Sequence, residues 1–218
     1  MRAFPRTYGI VAVLGLLSAT GCLRKDVTHT LYVSPTGVTW SAIEKDVRSD
    51  ETDPGNRLLE EQDYILGARA GQHGAARALR LLGGDVKTTI LRSDRPFTIV
   101  TEARFRDLAD LANAMMKAVR VRGEASIDRD GCEKTLRVRL DTDHPEEEDA
   151  SALVDLIGEA SAYTLVLTEG RFVRAEGFTI GEEGDVAVLG TPATSEDGVA
   201  RVSITWREGW CAPAPAGR

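Results

Sequence analysis

The sequence predicts an α+β domain: an antiparallel sheet of strand hairpins, interrupted by three or four helices packed on one face. Three observations predict it. Apolar residues alternate with period two in several short runs, recur with the helical period in others, and are punctuated by Gly, Pro and Asp-Gly at the boundaries. With 42% hydrophobic and 28% charged residues over 218 positions, the chain can bury a sizeable core, and one domain is the simplest division.

In "VTHTLYVS", Val27, His29, Leu31 and Val33 share one face of a strand, while Thr28, Thr30 and Tyr32 share the other. The turn "PTG" leads into "VTWSAIEKDV", a second β-branched and aromatic run, and the two form a hairpin. Between Pro54 and Gly84 the period changes. Leu58, Leu59, Ile65 and Leu66, then Ala75, Ala78, Leu79 and Leu82, predict helix, divided near Gly71 and Gly74 and stopped by Gly83-Gly84. "DVKTTILR" and "FTIVTEARF" follow as strands around the break at Pro96. Leu108, Leu111, Ala112, Met115 and Val119 then recur at i, i+3, i+4, i+7 and i+11, the clearest amphipathic helix in the chain.

The stretch "VRGEASIDRDGCEKTLRVRL" predicts a hairpin turning at Asp130-Gly131, a dipeptide that favours a type I′ turn. That tip pairs Val121 with Leu140, Gly123 with Val138 and Ala125 with Leu136, all on one face. Arg122 opposite Arg139 and Glu124 opposite Arg137 make the other face wet. Beyond the acidic run "DTDHPEEED", Ala150, Leu153, Val154 and Ile157 mark a further short helix. Three or four strands in "AYTLVLTEGRFVRAEGFTI", "DVAVL" and "VARVSITW" close the domain.

The N-terminus carries an address. Arg2 and Arg6 form a basic region, Gly9 to Leu17 an apolar one, and Ser18, Ala19, Thr20 and Gly21 are small residues before Cys22. A helix needs roughly 20 apolar residues to cross a bilayer, so this run is too short for a permanent span. The segment "ATGC" resembles the lipobox of bacterial lipoproteins, with Ala19 where leucine is commonest. That resemblance implies that Cys22 is the lipidation site, that residues 1–21 are removed as a signal peptide, and that diacylglycerol on the thiol holds the protein to a membrane. Leu23, rather than aspartate, follows the cysteine, which by the same resemblance implies the outer membrane and a periplasm-facing domain. The mature domain also resembles predicted lipoproteins of unassigned activity, notably in "TLYVSPTGVTW", a resemblance that implies no activity. The expected organisation is a signal over 1–21, a tether over 22–26, a single α+β domain over 27–210 and a flexible tail over 211–218.

The formal net charge is -7, and removing Arg2 and Arg6 with the signal makes it -9. So acidic a surface repels phosphates, and nucleic acid is set aside as a partner. The expected partners are a membrane, reached through the N-terminal lipid, and an envelope protein still to be identified. With Cys22 acylated, Cys132 and Cys211 are an even pair and are expected to form a disulfide in an oxidising envelope.

No phosphate loop, nucleophile elbow, H-E-x-x-H or paired C-x-x-C is present, so the sequence assigns no catalytic residue, no cofactor and no metal. Of the three histidines, His29 is expected as a satisfied core residue on a strand's apolar face and His73 as a solvated loop residue. His144, beside Asp141, Asp143, Glu146, Glu147 and Glu148, is expected in a solvated acidic loop. A second acidic group, Glu44, Asp46, Asp50, Glu51 and Asp53, is explained by a strand end running into a helix N-terminus. The favoured reading is an envelope lipoprotein whose domain binds or scaffolds something at the periplasmic face. Two alternatives stand beside it. One is a carrier or chaperone for an apolar ligand, with a cavity lined by residues such as Met115, Leu136 and Phe172; the other is a hydrolase using the 44–53 carboxylates.

Overall fold

The computed structural model describes residues 23–141, 160–190 and 199–209, without the side chains of 160–162. Within them the chain forms β1 (Leu23–Ser34), β2 (Gly37–Ser49), α1 (Pro54–Arg69), α2 (Gly74–Leu81), β3 (Asp85–Arg92), β4 (Phe97–Phe105), α3 (Leu108–Ala118), β5 (Gly123–Asp130), β6 (Glu133–Asp141), β7 (Ala160–Leu167), β8 (Arg171–Glu176), β9 (Phe178–Ile180), β10 (Val186–Leu189) and β11 (Val199–Arg207).

The strands make two sheets. A seven-stranded sheet has the order β3-β4-β2-β1-β7-β10-β9, and a four-stranded sheet has the order β5-β6-β11-β8. This overturns the expectation of one antiparallel sheet with three or four helices packed on one face: the described chain is mostly strand, and a second sheet supplies much of the cover. The central pairing of β1 with β7 is parallel, whereas every other pairing is antiparallel. Sequence patterning specifies which face of a strand is apolar. It does not specify which strands share a sheet.

Alternation along β1 and β2 does give the buried face. Val27, His29, Leu31 and Val33 are buried, as are Val38, Trp40, Ala42 and Glu44, and cross-strand registers such as Leu31 with Trp40 and Val33 with Val38 put both sets on one side. The β1–β2 turn needs glycine: Gly37 has φ 150, and a Cβ there would stand 2.7 Å from the Phe105 carbonyl oxygen. β1 already begins at Leu23, paired with Ser49, inside the stretch expected as a tether.

Against this face pack Leu136, Ile204 and Trp206 of the smaller sheet, together with Leu108, Leu111 and Met116 of α3 and Ala75, Ala78 and Leu79 of α2. A smaller cluster of Val47, Ile65, Ala68 and Ile99 lies under α1. The expected helix over 150–157 and the acidic run 142–149 lie outside the described residues.

The 123–141 hairpin forms with a different register. Gly123 pairs with Leu140, Ala125 with Val138 and Ile127 with Leu136, and the turn is Gly131-Cys132. Gly131 takes φ 58 at the first turn position, where a type II′ turn requires glycine. The slip is two residues, and a two-residue slip keeps every side chain on its face.

Candidate apolar ligand cavity

Between the two sheets lies a cavity of about 230 Å³. Leu31, Trp40, Tyr163 and Leu165 of the larger sheet form its floor, Met115 and Leu111 of α3 one wall, and Leu136 and Leu140 of β6 its roof. The local reasons are those of the fold. Odd positions of β1 and β7 and even positions of β2 and β6 face inward, and α3 turns Leu108, Leu111 and Met115 along one stripe. Of the three residues expected to line such a cavity, Met115 and Leu136 do, while Phe172 is buried in the core beside it without lining it.

An aromatic trio closes the cavity floor. His29 stacks on Tyr163 with ring centroids 5.2 Å apart and an interplanar angle of 11°, and Trp40 meets both rings edge-on at 5.5 and 5.9 Å. The Trp40 indole N–H donates to His29 Nδ1 at 2.9 Å, which places the ring proton of the neutral imidazole on Nε2. His29 is therefore the buried, hydrogen-bonded core histidine that its strand position predicts. The Tyr163 hydroxyl is buried and has no hydrogen-bond partner among the described residues, and burial raises its pKa.

Behind the trio, under α1 and α2, lies a polar network that the sequence did not reveal. Glu44 is fully buried on β2, and its Oε1 accepts from Lys25 Nζ at 2.9 Å and from the Tyr64 hydroxyl at 2.8 Å. Its Oε2 faces His73 Nε2 at 3.5 Å, and the same His73 nitrogen is 2.9 Å from Thr101 Oγ1. His73 is thus a buried residue at the N-terminus of α2, contrary to the solvated position expected of it. Burial lowers its pKa, opposed by the Glu44 charge and aided by Lys25. Burial also raises the pKa of the Tyr64 hydroxyl. One available signal was the alternation itself: Glu44 continues the inward series Val38, Trp40, Ala42.

The acids from 44 to 53 are dispersed. A bulge at Lys45–Asp46, with Asp46 at φ 52, changes the inward parity, so that Glu44 points in, Asp46 points out, and Val47 and Ser49 point in again. Asp50 pairs with Arg24 at the surface, Glu51 accepts from Thr52 N, and Asp53 caps α1 by accepting from Asn56 N at 2.8 Å. No shared cleft gathers them, so the hydrolase reading lacks the arrangement it requires. His144, Asp143 and Glu146–Glu148 lie outside the described residues, as do Cys22 and Cys211. Cys132 is disulfide-bonded, with its partner outside the described residues. Among the described residues no cluster of His, Cys, Asp and Glu is arranged to hold a metal, and no helix is long and apolar enough to cross a membrane.

No family profile matches the chain, and no curated protein matches it. Among solved structures it is similar to the folded domain of the Mycobacterium tuberculosis protein LppM, with a TM-score of 0.37 and 16% identity over 85% of this chain and 90% of that one. A likeness of that degree carries no activity across.

Proposed function

We propose that the protein is an envelope lipoprotein, anchored through acylated Cys22, whose domain binds an apolar ligand between its two sheets. The cavity carries this reading. Its walls are aliphatic and aromatic, and water gains little from them. An aliphatic chain replaces that water without breaking a hydrogen bond. Ligand sites have predominantly apolar walls, and the lining of this cavity is apolar throughout.

The test is to purify the full chain from membranes and identify bound compounds by native mass spectrometry and lipid extraction. An apolar compound should co-purify with the wild type and be lost from Ala112→Phe, which projects a ring from α3 into the cavity. If nothing apolar co-purifies and a fluorescent fatty acid fails to bind saturably, the carrier reading is wrong. Anchoring is tested separately: Cys22→Ala should move the protein to the soluble fraction and abolish palmitate incorporation.

The pairing of Cys132 with Cys211 belongs to the same proposal. Glu208 N donates to Cys132 O at 3.4 Å, so the residue just past β11, three before Cys211 in the sequence, lies beside the hairpin turn. Leu23 is remote from that turn. Val33, Ser34 and Val38 share a pocket with Ile127, Lys134 and Trp206, and the 12-residue β1 separates that end from Leu23 by roughly 36 Å at about 3.3 Å per residue.

A further inference from the structure

We propose that the end of the domain carrying Leu23 lies directly on the bilayer, seated through exposed leucines of α1 and β3; this rests on the reading of Cys22 as the lipid anchor. The observation is that β1 begins at Leu23. Leu23 is already paired with Ser49 in the sheet, and consecutive Cα atoms are about 3.8 Å apart, so a lipid on Cys22 holds the Leu23–Ser49 end within a residue's length of the headgroups.

The same end gathers other termini. β2 leaves at Ser49, β3 arrives at Arg92 and β4 departs at Phe97, with Val47 opposite Phe97 and Arg92 opposite Thr98. α1 starts there too, because Glu61 in its second turn accepts from Ser49 N at 3.1 Å and from Arg95 Nε at 2.5 Å. Leu58 is 48% exposed, Leu59 59% and Leu91 67%, an unusual exposure for leucines this close together in the fold. Leu66, 58% exposed and seven residues beyond Leu59, shares with it the helix side away from Ile65 and Ala68, with exposed Gln62 and Asp63 between them, whereas Leu58 lies on the Ile65 side.

Arginines and acids are interleaved at this end. Arg24, Arg48, Arg57, Arg92 and Arg95 are here. Asp50 is engaged by Arg24, Asp94 by Arg92, Glu61 by Arg95 and Asp53 as the cap of α1, while Asp46 is exposed beside Arg48. Guanidinium groups present paired donors to phosphate, and such exposed ion pairs are weak enough to exchange for lipid phosphate. Leucines between them enter the interface as the apolar face of a surface-bound helix does.

The experiment uses the full chain purified from membranes and reconstituted into phosphatidylcholine and phosphatidylglycerol vesicles containing brominated lipid. Leu59→Trp and Leu91→Trp place a reporter at this end, and Tyr32→Trp, at an exposed position near the opposite end of β1, is the control. The expected result is loss of most of the added fluorescence at 59 and 91 and none at 32, with unchanged circular dichroism in all three. Vesicle flotation is read in parallel. If the protein does not float, the anchor reading fails and this proposal falls with it; if it floats but position 32 is quenched equally, or 59 and 91 are not quenched, the anchor stands and the seating is overturned.

Discussion

Trp40 donates its indole N–H to His29 Nδ1 across the β1–β2 pair, and both side chains are completely buried. The bond lets a histidine occupy a strand face that is otherwise aliphatic. Replacing His29 with Phe leaves the indole N–H without its acceptor in a dry site, which costs about 1–3 kcal/mol. Trp40→Phe loses the bond and some volume, and the double variant should be less destabilised than the sum of the two. Urea unfolding of the four proteins measures this coupling, and strict additivity would show the bond to be energetically silent.

Glu44 is the keystone of the buried polar network, since it accepts from both Lys25 and Tyr64 while facing His73. Removing one partner of a buried ion pair typically costs about 3–5 kcal/mol because the other charge is stranded. Glu44→Ala should therefore lower the denaturant midpoint far more than Asp46→Ala, whose carboxylate is exposed. Equal effects from the two would refute the buried role.

The same network makes stability depend on pH. The folded pKa of His73 lies below its ordinary value of about 6.5, so below pH 6.5 the unfolded chain binds the proton more readily than the folded one. Stability from the neutral ring is complete above that pH and declines as pH falls from about 6.5 toward the folded pKa. The His73 side chain makes no capping bond, and Asn is a good N-cap that does not titrate, so the thermal midpoint of His73→Asn should vary less over this window than that of the wild type.

Reduction should loosen the end of β11. If Cys132 is bonded to Cys211, the Cys211→Ser variant should leave one free thiol at Cys132, and loss of the bond should cost about 2–5 kcal/mol. Intact mass and thiol labelling of the unfolded protein read this directly. No labelling at all in Cys211→Ser would mean that Cys132 stays bonded to Cys22 and that Cys211 is not its partner.

Within the cavity, Leu136→Ala removes part of the roof. The deletion of a buried leucine side chain costs about 2–5 kcal/mol, and the enlarged space should admit a bulkier apolar probe than the wild type does. Calorimetric titration with alkyl series of increasing length measures the change in preferred length.

The sequence by itself determined the local periodicities and the address: the inward face of β1, the stripe of α3, the 123–141 hairpin, and the lipobox-like segment ending at Cys22. These follow from side-chain alternation and turn chemistry, which act over a few residues. Only the tertiary structure decided that β1 runs parallel to β7, that β5, β6, β8 and β11 leave to build a second sheet, and that His73 swings beneath α1 to face Glu44. It also set the turn at Gly131-Cys132, since the register at Asp130-Gly131 exposes the same faces and periodicity cannot separate the two. Pairing between distant strands depends on how apolar faces meet across a core, and that information is spread over residues far apart in the chain.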